Sequence, residues 1–301
     1  MSGPDRGSVR LLLQAATARL AAAQVASPES DAAALLAHAA GEPRSRVLLR
    51  EDVAPDVVET FEALVARRAT REPLQHLVGS AGFRYLELAV GPGVFVPRPE
   101  TELLAGWAVE QALAVRAATG RDPVVVDLCT GSGAVALSVA TEVPGSRVHA
   151  VELDEQALVW AERNLAGSGV DLRAGDMATS FTDLDGTVDV VVSNPPYIPL
   201  EAFESVTPEV RDHDPALALW SGDDGLDAMR VVEQVAARLL VPGGGVGAEH
   251  AEVQAHDAPA VFATAGRWSD VRDHEDLAGR ARFLTARRAT NPGPRPARLA
   301  D

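Results

Sequence analysis

Asn194-Pro195-Pro196-Tyr197 follows directly on an apolar run, Val188-Asp189-Val190-Val191-Val192-Ser193. These residue types at a strand end can hold a flat NH2 group. The Asn194 side-chain oxygen and the Pro195 carbonyl can accept its two hydrogens, and the Tyr197 ring can cover its face. That chemistry suits methylation of an amide or exocyclic amine nitrogen. A tight Pro-rich turn over a buried Tyr is the plainer alternative.

A second cluster lies upstream. Asp127-Leu128-Cys129-Thr130-Gly131-Ser132-Gly133 stands between an apolar run and a helical stretch. Glycines at such a junction let backbone N–H groups approach a ligand at a helix N-terminus. The spacing departs from the G-x-G-x-x-G dinucleotide fingerprint. It resembles the D-x-G-x-G-x-G loop of class I S-adenosylmethionine methyltransferases, with Cys129 at the first glycine position. Cys129 itself reads as a small packing residue beneath the loop. Glu152 closes the next apolar run, where an acid can accept hydrogen bonds from both hydroxyls of a ribose. Asp154 competes for that role, and the direct lead-in from Ala150-Val151 favours Glu152. Gly175-Asp176-Met177 follows a third short strand and is placed to meet an adenine, through the Asp176 carboxylate and the apolar Met177 side chain.

The elements that must position these groups are legible in outline. Val9 to Gln24 is rich in Ala and Leu. Ser27-Pro28-Glu29 opens a second helix, with Ser as N-cap and Pro at the first position, and Gly41 can close it. Pro55 to Arg68 carries Val57, Val58, Phe61, Leu64 and Val65 at helical spacing. No strand is evident before residue 80. Tyr85 to Val90 alternates, Gly91-Pro92-Gly93 turns and Val94 to Val96 is apolar, which predicts a hairpin-like connector. A helix is expected over 100–118. Strands and helices then alternate: strands at 124–127, 147–152, 170–173 and 188–192, helices at 134–140, 155–166 and 227–240, and final strands at 243–249 and 281–286. This pattern predicts an α/β fold with a mainly parallel, Rossmann-like sheet covered on both faces. The expected organisation is a helical domain over 1–80, a hairpin linker over 81–99, a methyltransferase domain over 100–290, and a loose polar tail over 291–301.

Bulk properties narrow the classes of function. The chain has 301 residues, 47% of them hydrophobic, with mean hydropathy near zero, as expected of a soluble globular protein. Its formal charge of −16 argues against a surface that grips nucleic acid throughout. All 27 basic residues are arginine, which reads as compositional bias. One cysteine rules out an internal disulfide and a multi-cysteine zinc site. The seven histidines include no H-E-x-x-H arrangement, so no metal is expected. Residues 1–10 lack a signal-peptide core, and no run is apolar enough to span a membrane. A cytoplasmic enzyme, acting as a monomer, is the expectation.

Further motifs carry a resemblance that covers residues 10–287. They are Arg67-Arg68 with Glu72-Pro73-Leu74-Gln75-His76-Leu77-Val78-Gly79 and Phe83; Pro97-Arg98-Pro99-Glu100-Thr101-Glu102; Asp214-Pro215 with Ala218-Leu219 and Gly222-Asp223-Asp224-Gly225-Leu226; Glu249 with Gln254; and Asp276-Leu277-Ala278-Gly279-Arg280. Together they resemble the HemK/PrmC family of protein-(glutamine-N5) methyltransferases. Asp214 stands where the family has Glu, and Ala251 where it has Gly.

The resemblance implies a helical domain that helps hold the substrate, a hairpin linker and a methyltransferase domain. It implies S-adenosyl-L-methionine as methyl donor, with S-adenosyl-L-homocysteine as product. The implied substrate is the glutamine of the Gly-Gly-Gln loop in class 1 peptide chain release factors. Catalysis would fall to Asn194, Pro195 and Tyr197, with Pro196 completing the substrate loop. The cofactor would meet Asp127, Cys129, Thr130, Gly131, Ser132, Gly133, Glu152, Asp176, Met177 and Asn194. Arg98 and Glu100 either pin a loop over the cofactor or form a structural ion pair. Two rival readings stand beside this one. One is methylation of DNA adenine or ribosomal RNA guanine, whose flipped bases also present a planar NH2. The other is a catalytically silent, methyltransferase-like binding subunit.

Overall fold

In the computed structural model, residues 7–290 are described, so the tail expected over 291–301 lies outside them. Two units are present. One comprises the described residues up to Ser80 together with Val90–Pro92 and Thr207–His213; the other holds the rest.

The first unit is helical. Helices Val9–Ala22, Pro28–Ala40 and Pro55–Ala69, with the short Arg44–Val47 and Leu74–Val78, pack Leu20, Leu35, Leu36, Val47 and Phe61 out of water. Ser27 and Pro28 stand at the expected start of the second helix, and Gly41 ends it at φ 63°. The Ser27 side chain makes no capping hydrogen bond. Inside this unit the Arg68 guanidinium donates to Asp31 at 2.8 Å and to Glu209 at 3.0 Å. Arg71 grips the same Glu209 at 2.7 and 2.6 Å. The helix Pro208–His213, far along the sequence, is thereby fastened among the N-terminal helices.

The second unit begins at Ala81, in the first strand of a hairpin formed by β1 (Ser80–Phe83) and β2 (Leu86–Ala89). This corrects the expected connector. The turn is Arg84-Tyr85, not Gly91-Pro92-Gly93, and Val94–Val96 is not a strand. Arg84 takes φ 51°, normally a glycine or asparagine conformation. Its partners hold it there: the backbone N–H donates to Glu102 at 3.0 Å, and the guanidinium grips Glu142 twice at 2.6 Å.

The main sheet has seven strands: β3 (Val124–Leu128), β4 (Arg147–Glu152), β5 (Asp171–Ala174), β6 (Val188–Ser193), β7 (Leu240–Glu249), β8 (Trp268–Glu275) and β9 (Ala281–Arg288). Their order is β5-β4-β3-β6-β7-β9-β8. The first five run parallel, and β9 pairs antiparallel with both β7 and β8. Every residue of β3 and β6 is buried, as expected for strands covered on both faces. Strand β8 was not legible from the sequence. Its charged run Ser269-Asp270-Val271-Arg272-Asp273-His274-Glu275 suits an edge strand with one face in water. The winding direction reverses between β3 and β6. In open α/β sheets a crevice forms at that switch point, outside the carboxyl ends of the strands.

Candidate active site

The ladder register aligns those carboxyl ends. Leu128 pairs with Val151 on one side and Ser193 on the other, and Glu152 pairs with Ala174. The glycine loop after β3, Glu152, the Gly175-Asp176-Met177 turn and the Asn194–Tyr197 loop therefore leave the sheet along one edge. The Ser193 hydroxyl donates to the Leu128 carbonyl at 2.7 Å and ties two of these exits together.

Backbone geometry in the glycine loop follows from strong local demands. Cys129, Gly131 and Gly133 all have positive φ, at 60°, 57° and 84°. A side chain on Gly133 would meet Leu165 at 3.0 Å, whereas one on Gly131 would enter open space. Gly131 thus leaves room for a ligand, and Gly133 permits close packing of the helix Ala134–Glu142. Thr130 N–H donates to the Val151 carbonyl at 3.0 Å. Ser132 is buried, and its carbonyl accepts from Asn164 at 2.9 Å. Asn164 also exchanges two hydrogen bonds with the Ala89 backbone, joining the hairpin to this loop.

Asp127 faces inward. It is 1% exposed and accepts from the Thr130 hydroxyl at 2.7 Å and the Ala136 N–H at 3.2 Å. Burial pushes its carboxyl up to about 7, against the pull of those donors. It braces the loop and helix from below. Cys129 places its sulfur 3.5 Å from that of Met177, and burial pushes its thiol far above the ordinary range. Met177 packs against the core, and Asp176 accepts from the Ala178 N–H at 2.8 Å.

The two acids after β4 divide cleanly. Asp154 caps the helix Glu155–Leu165 by accepting from the Gln156 N–H. Glu152 accepts from Gly131 N–H at 2.7 Å and from Leu153 and Asp154 N–H at 2.9 Å each. Burial nevertheless raises its pKa. A carboxylate held this way against the glycine loop fits the ribose-binding role expected of Glu152, and the open face of Gly131 fits a bound nucleoside beside it.

At the Asn194 loop, Pro195 is buried and Asn194, Pro196 and Tyr197 are partly so. The Asn194 side-chain NH2 donates to the Thr101 hydroxyl at 3.3 Å. Thr101 donates in turn to Glu249 Oε2 at 2.7 Å, and the Tyr197 hydroxyl donates to Glu249 Oε1 at 3.1 Å. The Tyr197 carbonyl accepts from Gln254 at 3.0 Å. Gly225 must be glycine here: a side chain would meet that carbonyl at 2.4 Å, and its φ is 74°. Arg98 pairs with Asp214 at 2.9 Å and stands over the Phe95 ring, so its observed partner is not Glu100. His250 is buried between Asp273 and the Ala251 carbonyl, and His256 is exposed beside Asp257.

Comparison with known proteins agrees with this architecture. Residues 12–79 match the PrmC N-terminal domain, and residues 110–208 match the methyltransferase small domain. A relative from Streptomyces coelicolor, named release factor glutamine methyltransferase, is 58% identical over 91% of this chain and 96% of its own length. The chain belongs to the release factor glutamine methyltransferase family. Another relative, a 4-amino-L-phenylalanine/4-methylamino-L-phenylalanine methyltransferase from Streptomyces pristinaespiralis, is 46% identical over 72% of this chain and 74% of its own. Among solved structures, the hMettl16 catalytic domain shares the fold, with a TM-score of 0.52 at 14% identity over 68% of this chain and 76% of that one.

The expected family fold is present: a seven-stranded, mainly parallel methyltransferase sheet and a helical N-terminal region. Sequence reasoning attached no role to Thr101, Asn164, Glu249 or Gln254. Thr101, Glu249 and Gln254 do lie within motifs of the release factor glutamine methyltransferases, which was the available signal.

Proposed function

We propose that this chain transfers a methyl group from S-adenosyl-L-methionine to the side-chain amide nitrogen of glutamine in the Gly-Gly-Gln loop of class 1 peptide chain release factors. The observation that carries the reading is the Asn194 amide. Its nitrogen is spent on Thr101, which leaves the oxygen as the acceptor available to a substrate NH2. The close relative's name supports the substrate.

When bound, the cofactor supplies a methyl group activated by its sulfonium. The protein's contribution is placement. An amide nitrogen is a poor nucleophile because its lone pair is delocalised, and good orientation can contribute about 7–11 kcal/mol. Asn194 Oδ1 and the Pro195 carbonyl accept the two amide hydrogens, aim the nitrogen and stabilise the positive charge that develops on it. Tyr197 lies on the amide plane and excludes water. With the cofactor bound, the amide nitrogen would take the methyl group, the donor would leave as S-adenosyl-L-homocysteine, and the extra N–H proton would pass to solvent afterwards. Gly131 and Glu152 would hold the cofactor's nucleoside, and Asp176 and Met177 would meet the adenine. The chain works as a monomer in the cytoplasm, where release factors act.

The amino-phenylalanine relative shows that a related chain carries a name with a small arylamine substrate, so the test includes one. Labelled S-adenosylmethionine is incubated with release factor, with its Gln→Ala loop variant, with duplex DNA, with ribosomal RNA and with 4-aminophenylalanine. Label is expected on the unmodified release factor alone. Equal labelling of the Gln→Ala variant, or labelling of nucleic acid or arylamine instead, would overturn the proposal. Asn194→Ala is expected to abolish turnover while calorimetry shows cofactor affinity largely intact.

A further inference from the structure

An amide side chain can face a substrate with either end, and only one end accepts hydrogen bonds. We propose that Glu249, acting through the Thr101 hydroxyl, is a positioning residue that locks Asn194 with its oxygen toward the substrate, and that through the Tyr197 hydroxyl it holds the aromatic lid in the same network. This rests on the reading of Asn194 as the acceptor of the substrate NH2.

The polarity of the chain of hydrogen bonds enforces the orientation. Glu249 is 3% exposed, and as a carboxylate it only accepts. Both of its oxygens are engaged, one by Thr101 at 2.7 Å and one by Tyr197 at 3.1 Å. The Thr101 proton therefore points at Glu249, and its lone pair is all that Asn194 meets. A lone pair attracts the Asn194 NH2 and repels Oδ1. Reversing the amide would leave two acceptors facing each other in a buried site, with no donor between them. If Glu249 gains a proton, it can donate to Thr101, the hydroxyl can turn its own proton on Asn194, and the amide loses its preference.

The charged surroundings are mixed. Glu100 bears on Glu249 with like charge and Arg282 with opposite charge, while Arg98 and Arg282 also act on Tyr197. Arg282 is paired with Asp276 and Arg98 with Asp214. Burial outweighs these and pushes Glu249 up to about 7. The switch thus falls within the working range of a cytoplasmic enzyme.

The test uses Thr101→Val, which keeps the shape and removes the hydroxyl, with Thr101→Ser as rescue. For Thr101→Val, kcat on the release factor is expected to fall by about 100-fold, with cofactor affinity by calorimetry near wild type and a melting temperature lowered by the loss of the hydroxyl's two hydrogen bonds. Thr101→Ser should restore most of the rate. Wild-type kcat should decline as pH falls through about 7, and this acid limb should vanish in both Thr101→Val and Glu249→Gln. Wild-type kcat in Thr101→Val, no rescue by Ser, or an acid limb that persists in Glu249→Gln would each overturn the relay. Turnover surviving in Asn194→Ala would instead overturn the reading of Asn194 beneath it, so the two failures are told apart.

Discussion

Cys129 stands in the left-handed backbone region at φ 60°, which explains why related loops favour glycine there. The thiol tolerates the strain because it packs against Met177. Two opposing effects meet in Cys129→Gly: relief of about 1 kcal/mol of backbone strain and loss of a buried contact. The urea midpoint of this variant is expected to be no lower than wild type, and its cofactor affinity unchanged. A clear loss of either, by denaturation or calorimetry, would mean the thiol is needed for more than packing. The glycine pattern made this loop legible in sequence. Asp127 was less so. A carboxylate at a strand end can turn toward ligand or toward the core, and here Thr130 and Ala136 draw it inward.

At the scale of elements, the helix Thr101–Thr119 matters most, because it carries Thr101 to Glu249 at the end of β7. It approaches the strand closely only because Gly245 and Gly247 bear no side chains. A Cβ on Gly247 would lie 2.6 Å from the Trp107 ring and 2.9 Å from Leu104. Gly247→Val is expected to shift this helix, to lower stability by roughly 1–3 kcal/mol through overpacking, and to lower kcat with it. Urea unfolding and turnover measured on one preparation check both. The helix was predictable from its composition and the strand from its apolar end. Their contact was not, because strand glycines have several possible reasons. The same limit hid the Arg84-Tyr85 turn, where ion pairs to distant acids replace turn chemistry.

Across the whole molecule, buried carboxylates set the pH response. Burial holds Asp127 and Glu249 up at about 7 and Asp214 at about 6, each above its unfolded value near 4. Between about pH 4 and 7 these three groups therefore hold more protons in the native state than in the unfolded chain, and their contribution to stability falls as pH rises through that window, against an opposing contribution from His274, whose pKa burial lowers. The melting temperature is expected to rise when pH is lowered from 8 to 6. Scanning calorimetry at fixed ionic strength checks this, since salt also screens the net charge of −16. Activity should move the opposite way, because the relay needs Glu249 ionised.

The sequence by itself determined the Asn194–Tyr197 loop and the glycine loop as turns at strand ends, the sheet that carries them and the family. Each is written in residues close together along the chain: a strand, a turn of special backbone shape and a helix start. Tertiary structure alone decided which end of Asn194 meets the Thr101 hydroxyl, that Thr101 in turn meets Glu249, and that Glu209 joins the N-terminal helices. Those outcomes depend on hydrogen bonds to partners as far as 93, 148 and 141 residues away. Spacing along a chain does not encode the direction of a polar group; the donor or acceptor that folding brings opposite it does.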